Sequence, residues 1–283
     1  MTLTTQKTIK LPGYDIEFNN EARMVVVAGN NVLESRDLAF RTCEFLKEST
    51  LKLGLPFIYK ASFDKANRSS INSYRGPGLE EAQRIFLDLK KEFDVPVITD
   101  IHENEQAKIV AEFADIIQLP AFLVRQTNLV KAAAETGKVI NLKKMQMMAP
   151  WDVKNIFKKF QELGNDNLII CERGTQFGYN NLIVDPLCVP ELKKFGYPIM
   201  FDITHSLQQP GGLGEATAGR GEYAEMLARS IVSMGVSSVF LETHIDPAIA
   251  KCDGPCATKL SDAEKMLTNL KLIDELVKET LDK

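Results

Sequence analysis

Nowhere in the 283 residues does an apolar run approach the ~20 residues that a membrane helix needs, which excludes a spanning segment. The opening Met1-Thr-Leu-Thr-Thr-Gln-Lys has no apolar core of the signal-peptide kind, so the expectation is a cytoplasmic protein. Positive charge is also short. With 34 Lys and Arg against 38 Asp and Glu, the net charge of −4 leaves no electrostatic footprint for nucleic acid or an anionic membrane. Any anion must be bound by a local cluster, and small molecules are the expected partners. The five cysteines, Cys43, Cys171, Cys188, Cys252 and Cys256, are odd in number and irregularly spaced, which argues against a disulfide framework and suits a reducing compartment. Cys252 and Cys256 lie near His244 in sequence but lack a second Cys/His pair at ligand spacing, so they make a weak metal motif. Neither a dinucleotide G-x-G-x-x-G nor a Walker pattern occurs in a strand-turn-helix setting.

What the chain does have is alternation. Apolar runs at Met24–Ala28, Pro56–Tyr59, Val95–Thr99, Asp115–Leu119, Val139–Leu142, Asn167–Cys171, Pro198–Ile203 and Ser238–Glu242 have strand length. Helix-patterned stretches separate them, among them Leu79–Phe93, Asn104–Phe113, Gln126–Thr136, Asp152–Leu163, Arg220–Met234 and Ser261–Leu281. Eight such units in a chain of this size predict a single α/β domain over residues 1–283, a (β/α)8 TIM barrel. Ile9–Leu11 and Tyr14–Phe18, flanking Pro12-Gly13, predict a short N-terminal hairpin closing the barrel bottom.

In such a barrel the reactive groups gather at the C-terminal ends of the strands. All three histidines follow an apolar run: His102 the third, His205 the seventh and His244 the eighth. Lys60 follows the second run, Gln118 and Arg125 the fourth, Lys143 and Lys144 the fifth, Glu172 and Arg173 the sixth. Taken singly, each lysine or arginine is as readily a solvated loop charge. Taken together they predict a cationic mouth able to neutralise two phosphates, or a phosphate and a carboxylate.

The densest polar stretch is Lys60-Ala-Ser-Phe-Asp-Lys-Ala-Asn-Arg-Ser-Ser70. It combines the bidentate fork of arginine, the compact charge of lysine and the neutral donors of Asn and Ser, a set suited to holding anions. The glycine loops Arg75–Gly78, Pro210–Gly214 and Ala218–Gly221 read as mobile covers over the rim. Lys143 alone would also suit a Schiff-base lysine.

Lys60–Ser70, followed by Ser73-Tyr-Arg-Gly-Pro-Gly78, strongly resembles the 3-deoxy-D-manno-octulosonate 8-phosphate synthase family, also called 2-dehydro-3-deoxyphosphooctonate aldolases. The resemblance continues through Asn31-Val-Leu-Glu-Ser-Arg-Asp37, Gln118-Leu-Pro-Ala-Phe122, Arg125-Gln-Thr127, Asn141-Leu-Lys-Lys144, Glu172-Arg-Gly174, Asp202-Ile-Thr-His205 and Lys251-Cys-Asp-Gly-Pro255. It covers roughly residues 9 to 280. The related heptulosonate synthases carry Lys-Pro-Arg-Thr where this chain has Lys65-Ala-Asn-Arg-Ser69.

The resemblance implies condensation of phosphoenolpyruvate with arabinose 5-phosphate, on the way to lipopolysaccharide. It assigns phosphoenolpyruvate to Lys60, Ser62, Lys65, Gln118, Lys143, Arg173 and His205. Arabinose 5-phosphate goes to Asn67, Arg68 and Ser69, with Arg125 reaching across a subunit interface in a homotetramer. Asn31, Lys65, His205 and Asp253 are the implied catalytic positions. Metal-dependent members place a cysteine where this chain has Asn31, while His205, Glu242 and Asp253 keep the other ligand positions. The expectation is therefore the metal-independent type, with no cofactor.

Overall fold

The computed structural model describes residues 4–212 and 217–280. Residues 1–3, residues 213–214 of one glycine loop and residue 281 of the last expected helix lie outside them. Eight parallel strands follow the expected order: β1 (Val25–Val32), β2 (Phe57–Ser62), β3 (Val97–Asp100), β4 (Ile116–Leu119), β5 (Val139–Lys143), β6 (Leu168–Glu172), β7 (Ile199–Asp202) and β8 (Ser238–His244). Each pairs with the next, and β8 returns to β1 in the register Ser238↔Val25 and Leu241↔Ala28, which closes the barrel. Helices α1 (Arg36–Leu53), α2 (Leu79–Phe93), α3 (Asn104–Phe113), α4 (Thr127–Ala134), α5 (Lys154–Glu162), α6 (Cys188–Lys193), α7 (Ala224–Val232) and α8 (Leu260–Thr280) fill the crossovers. The (β/α)8 expectation is met.

Strand side chains alternate between the two faces of a sheet, so each strand serves two cores. Val26, Tyr59, Ile117, Ile140, Ile170, Phe201 and Leu241 point outward and pack with helix residues such as Leu46, Phe86, Val110 and Phe160. Val25, Ile58, Ile98, Ile116, Val139, Ile169 and Met200 point inward and fill the lower barrel. The hairpin, with Ile9 opposite Phe18 and a turn through Gly13 at φ 85°, presses Ile9, Leu11 and Phe18 into that inner core. The bottom is plugged.

Two or four residues further along the same inward faces stand Lys60, Asp100, Gln118, Lys143, Arg173, Asp202 and Glu242, all buried. Six of the eight strands therefore outrun the apolar runs that announced them, all but β4 and β7. β1 ends at Val32 rather than Ala28, β2 at Ser62 rather than Tyr59, and β8 at His244 rather than Glu242. Polar inward residues that partner one another across the mouth let the backbone ladder continue, and apolarity alone misses that extension.

Near its end β1 shifts register between Gly29 and Val32. A Cβ at Gly29 would lie 2.1 Å from the Lys60 carbonyl oxygen, so only glycine permits this approach of β1 to β2. Helices α2 and α3 keep their expected bounds, whereas α5 and α7 are preceded by short 3-10 turns at Pro150–Val153 and Gly221–Tyr223. Helix α1, absent from the expected set, has ordinary punctuation: Ser35 accepts from the Leu38 N–H, and Gly54 closes the end in the left-handed region. All five thiols are free and buried. Among the described residues no helix is long and apolar enough to cross a membrane.

Candidate active site

A crevice opens at the C-terminal ends of the strands, in two lobes. The deeper lobe, about 290 Å³, is lined by Lys60, Lys65, Gln118, Lys143, Arg173 and His205 among others. A wider lobe of about 380 Å³ runs past Asn67, Arg68 and Ser69 to Lys251 and Asp253. Lys65, Asn67, Phe122, Gln146, Arg173 and His205 border both, so the lobes form one continuous space.

The cations are not loose loop charges. Lys60, only 1% exposed, donates to Ser62 Oγ at 2.9 Å and lies 3.4 Å from Glu242 Oε1 and 3.8 Å from Asp100 Oδ1. Ser62 in turn donates to Asp100 at 2.5 Å, and Asp100 Oδ2 is 3.0 Å from His102 Nε2. Lys143 is ion-paired with Asp202, and its ammonium sits 3.4 Å from the centre of the Phe240 ring. Arg173 donates to Gln208 Oε1 at 2.6 Å. Each charge is held in place by a partner of opposite sign or a strong acceptor, as burial demands. The sequence-based picture of a simply cationic mouth is corrected accordingly: the floor is a mosaic of alternating sign.

That mosaic sets the proton affinities. Burial, and then neighbouring Lys65, lowers the Lys60 pKa. Burial opposes the charge on Lys65 too, but Glu242, Cys252, Asp100 and Asp253 outweigh it, and its pKa is raised. Burial would raise Asp100, yet Lys60 and His102 hold it well below the usual carboxylate range. Asp202 is depressed in the same way, with His205 and Lys143 overcoming burial. The two lysines thus diverge in function-relevant ways within one crevice.

Beside Lys65 lies the trio His205, Glu242 and Asp253, whose ligating atoms are within 4.8 Å of one another. His205 Nε2 is 3.4 Å from Glu242 Oε2 and 3.9 Å from Asp253 Oδ2, while its Nδ1 faces Asp202 Oδ2 at 2.8 Å. Asn31 closes the trio from β1 by donating Nδ2 to Asp253 Oδ2 at 2.8 Å. One imidazole and two carboxylates are competent metal ligands, but the fourth side is an amide engaged as a donor, and the Lys65 ammonium stands 3.9 Å from Glu242 Oε1. An amide turned as a donor and an ammonium beside the carboxylates both oppose a cation at the trio.

Of the sequence-derived candidates, Lys60, Lys65, Asn67, Gln118, Lys143, Arg173 and His205 border the deeper lobe, and Arg68, Ser69 and Asp253 border the wider one. Ser62 lies beneath the surface as a link between Lys60 and Asp100, and Asn31 behind Asp253. Arg68 is drawn against the β8–α8 loop, 2.7 Å from Cys252 Sγ and 3.1 Å from the Lys251 carbonyl oxygen.

Arg125 is exposed and borders neither lobe of its own chain. Three expectations are corrected. His244 ends β8 with its ring 3.6 Å from Glu34, outside the crevice. Lys144 and Glu172 point to the outer side of the strands and pair with each other at 3.5 Å, because each follows or precedes an inward-facing residue by one position. The Arg75–Gly78 loop is no free cover: Arg75 accepts from the Lys65 N–H at 2.7 Å, and Gly78 donates to Phe63.

The sequence reading also passed over Asp100, Phe240, Gln146 and Gln208. Counting by two from Ile98 finds Asp100 on the inward face. Gln146 and Gln208 sit in irregular loops, where no periodicity marks them.

A sequence model of the DAHP synthetase I family matches residues 2–279. The 2-dehydro-3-deoxyphosphooctonate aldolase of Hahella chejuensis is 57% identical over 273 residues, 96% of this chain and 96% of the relative. The proteins of that name from Pseudomonas savastanoi pv. phaseolicola and Shewanella frigidimarina are each 56% identical over the same coverage.

Proposed function

Because the chain belongs to the DAHP synthetase I family, and within it to the 2-dehydro-3-deoxyphosphooctonate aldolases, we infer that it condenses phosphoenolpyruvate, D-arabinose 5-phosphate and water to 3-deoxy-D-manno-octulosonate 8-phosphate and inorganic phosphate. The observation that carries this reading is the convergence of Lys60, Lys65, Lys143 and Arg173 on one lobe that opens directly onto Asn67, Arg68 and Ser69. Two anions can be held side by side there, in an otherwise acidic protein.

In this reading phosphoenolpyruvate occupies the deeper lobe, with Lys60, Lys143 and Arg173 on its charged groups, Gln118 fixing its orientation and Ser62 serving it from beneath by holding Lys60. The aldose phosphate occupies the wider lobe against Asn67, Arg68 and Ser69. C3 of the enol phosphate bonds to the aldehyde carbon, whose oxygen takes up a proton. Water adds at C2 and loses its protons, and the phosphate leaves by C–O cleavage as the ketone forms. Lys65, whose raised pKa keeps it charged, serves the aldehyde oxygen. His205 and Asp253 serve the water and its protons, with Asn31 fixing the Asp253 carboxylate. Two buried acceptors beside them, Asn31 Oδ1 and Glu242 Oε2, have no hydrogen-bond partner among the described residues, which suits a place for that water. Lys143, paired with Asp202, acts as a charge and forms no Schiff base.

The chemistry in this reading needs no metal, since the amide at Asn31 replaces the soft ligand. Arg125 completes the sugar-phosphate lobe of a neighbouring subunit in a homotetramer, which is consistent with its exposure and its distance from its own crevice.

Phosphate release is the direct test. It should require phosphoenolpyruvate and arabinose 5-phosphate together and be far slower with erythrose 4-phosphate or N-acetylmannosamine. Turnover with either alternative acceptor at the arabinose 5-phosphate rate would refute the specificity. Prolonged dialysis against a strong chelator should leave the rate unchanged. A loss restored by Mn²⁺ or Zn²⁺ would refute the metal-free reading.

A further inference from the structure

The two residues that the strand-end pattern placed at the mouth and the structure turned away, Lys144 and Glu172, are fully buried and meet on the outer side of the barrel. Each is the immediate neighbour of a cation in the crevice. Lys143 precedes Lys144 at the end of β5, and Arg173 follows Glu172 at the end of β6. The strands are in register at Lys143↔Cys171, and the Lys144 N–H donates to the Cys171 carbonyl oxygen at 2.8 Å.

Every polar atom of the pair is engaged. The Lys144 ammonium lies 3.5 Å from Glu172 Oε2 and donates to Thr175 Oγ1 at 3.1 Å and to the Met148 carbonyl oxygen at 3.3 Å. Glu172 Oε1 accepts from the Gly174 N–H at 2.7 Å, and Oε2 from the Cys188 thiol of α6 at 2.9 Å. The same two loops are joined again where the Gln176 N–H donates to the Gln146 carbonyl oxygen. These bonds fix the backbone just after Lys143 and on both sides of Arg173, and the Lys144 and Glu172 side chains themselves line no part of the crevice.

We propose that the buried Lys144–Glu172 pair is a positioning element for the anion lobe: it locks the β5 and β6 strand ends together, so that Lys143 and Arg173 keep one spacing before any ligand arrives. The proposal rests on the function inferred above. Alternation along a strand lets one residue face the substrate while its neighbour braces the backbone that carries it. A buried pair with all its hydrogen bonds made is stiff, and loss of one partner leaves an uncompensated charge that reshapes its loop. Because preset spacing serves ground state and transition state alike, its loss should appear chiefly in KM.

The test uses the full-length enzyme carrying Glu172→Gln, Lys144→Met, the double Lys144→Met/Glu172→Leu, or Thr175→Val. Phosphoenolpyruvate binding is read by calorimetry without the sugar, and KM and kcat by phosphate release with both substrates. Glu172→Gln and Lys144→Met should weaken phosphoenolpyruvate binding and raise its KM by on the order of tenfold, with the KM for arabinose 5-phosphate unchanged, since Asn67–Ser69 follow β2. The double variant buries no charge and should recover thermal stability while keeping the weakened binding, because the Gly174 N–H and Thr175 Oγ1 have still lost their partners.

Thr175→Val removes one hydroxyl and no charge, so it keeps the fold and should weaken phosphoenolpyruvate binding by about threefold. Wild-type affinity in the folded Thr175→Val and double variants, or equal rises in both KM values, would overturn the proposal and leave the pair a stability element only. Failure of the wild-type enzyme to release phosphate would instead refute the inferred reaction, while the calorimetric comparison would still decide the positioning role.

Discussion

The lower and upper halves of the barrel interior are built on the same strands with the same alternation, yet they follow opposite rules. Below, Val25, Ile58, Ile98, Ile116, Val139, Ile169 and Met200 fill the space with apolar side chains and are sealed by Phe18 of the hairpin. Above, one or two pleats on, Lys60, Asp100, Lys143, Arg173, Asp202 and Glu242 stand equally buried, each facing a polar partner across the mouth. Apolar packing in the first region stabilises the molecule at every contact. Charge burial in the second stabilises it little or not at all, and persists because the groups are poised for a ligand. Stability and function are thus separated by height along a strand.

The sharpest way to break that separation is at the top. Arg173→Lys keeps the charge but loses the planar fork, and kcat/KM for phosphoenolpyruvate should fall by roughly a hundredfold in steady-state phosphate release while the denaturation midpoint barely moves. An unchanged rate would mean that Arg173 is not part of the anion clamp. At the bottom the pattern should invert. Phe18→Ala should cost about 3–5 kcal/mol in a denaturant titration, and KM for both substrates should stay near wild type at temperatures where the variant is folded. Altered substrate affinity in that variant would show that the halves are coupled.

The smallest effect concerns protons. Asp100 and Asp202 have depressed pKa values, so the stability they contribute is present above the unfolded carboxylate value of about 3.9 and is lost only as pH falls through their lower folded values. They should leave stability flat between about pH 7 and 5. Lys60 behaves in the opposite sense. Its lowered pKa means that the unfolded chain holds that proton more tightly, so its deprotonation favours folding as pH rises even while it removes a charge from the anion lobe. The KM for phosphoenolpyruvate should therefore climb on the alkaline side before ordinary lysines titrate, and Lys60→Arg should move that limb to higher pH. A limb that stays in place in Lys60→Arg would assign it to another group.

The eight-unit barrel and its plug were legible because strand length, alternation and turn residues are local signals, and Ile9, Leu11 and Phe18 mark the hairpin by position alone. The inward cations were legible for a similar reason, since Lys60, Lys143 and Arg173 follow apolar runs. What the apolar runs concealed was direction. Lys143 and Lys144 look equivalent as text, but one pleat sends the first to Asp202 and the second to Glu172. Nor could the pairing of the counter-charges be read, because Asp100, Asp202 and Glu242 meet their lysines across the barrel from distant parts of the chain. His244 misled through direction as well: it follows its apolar run, but points to Glu34.

Gly29 takes no part in any of this chemistry, yet its missing side chain leaves room for the carbonyl of Lys60. A saturation screen scored on turnover would rank that position beside the ligand-holding lysine, and a reader of the screen alone would mistake elbow room for reactivity.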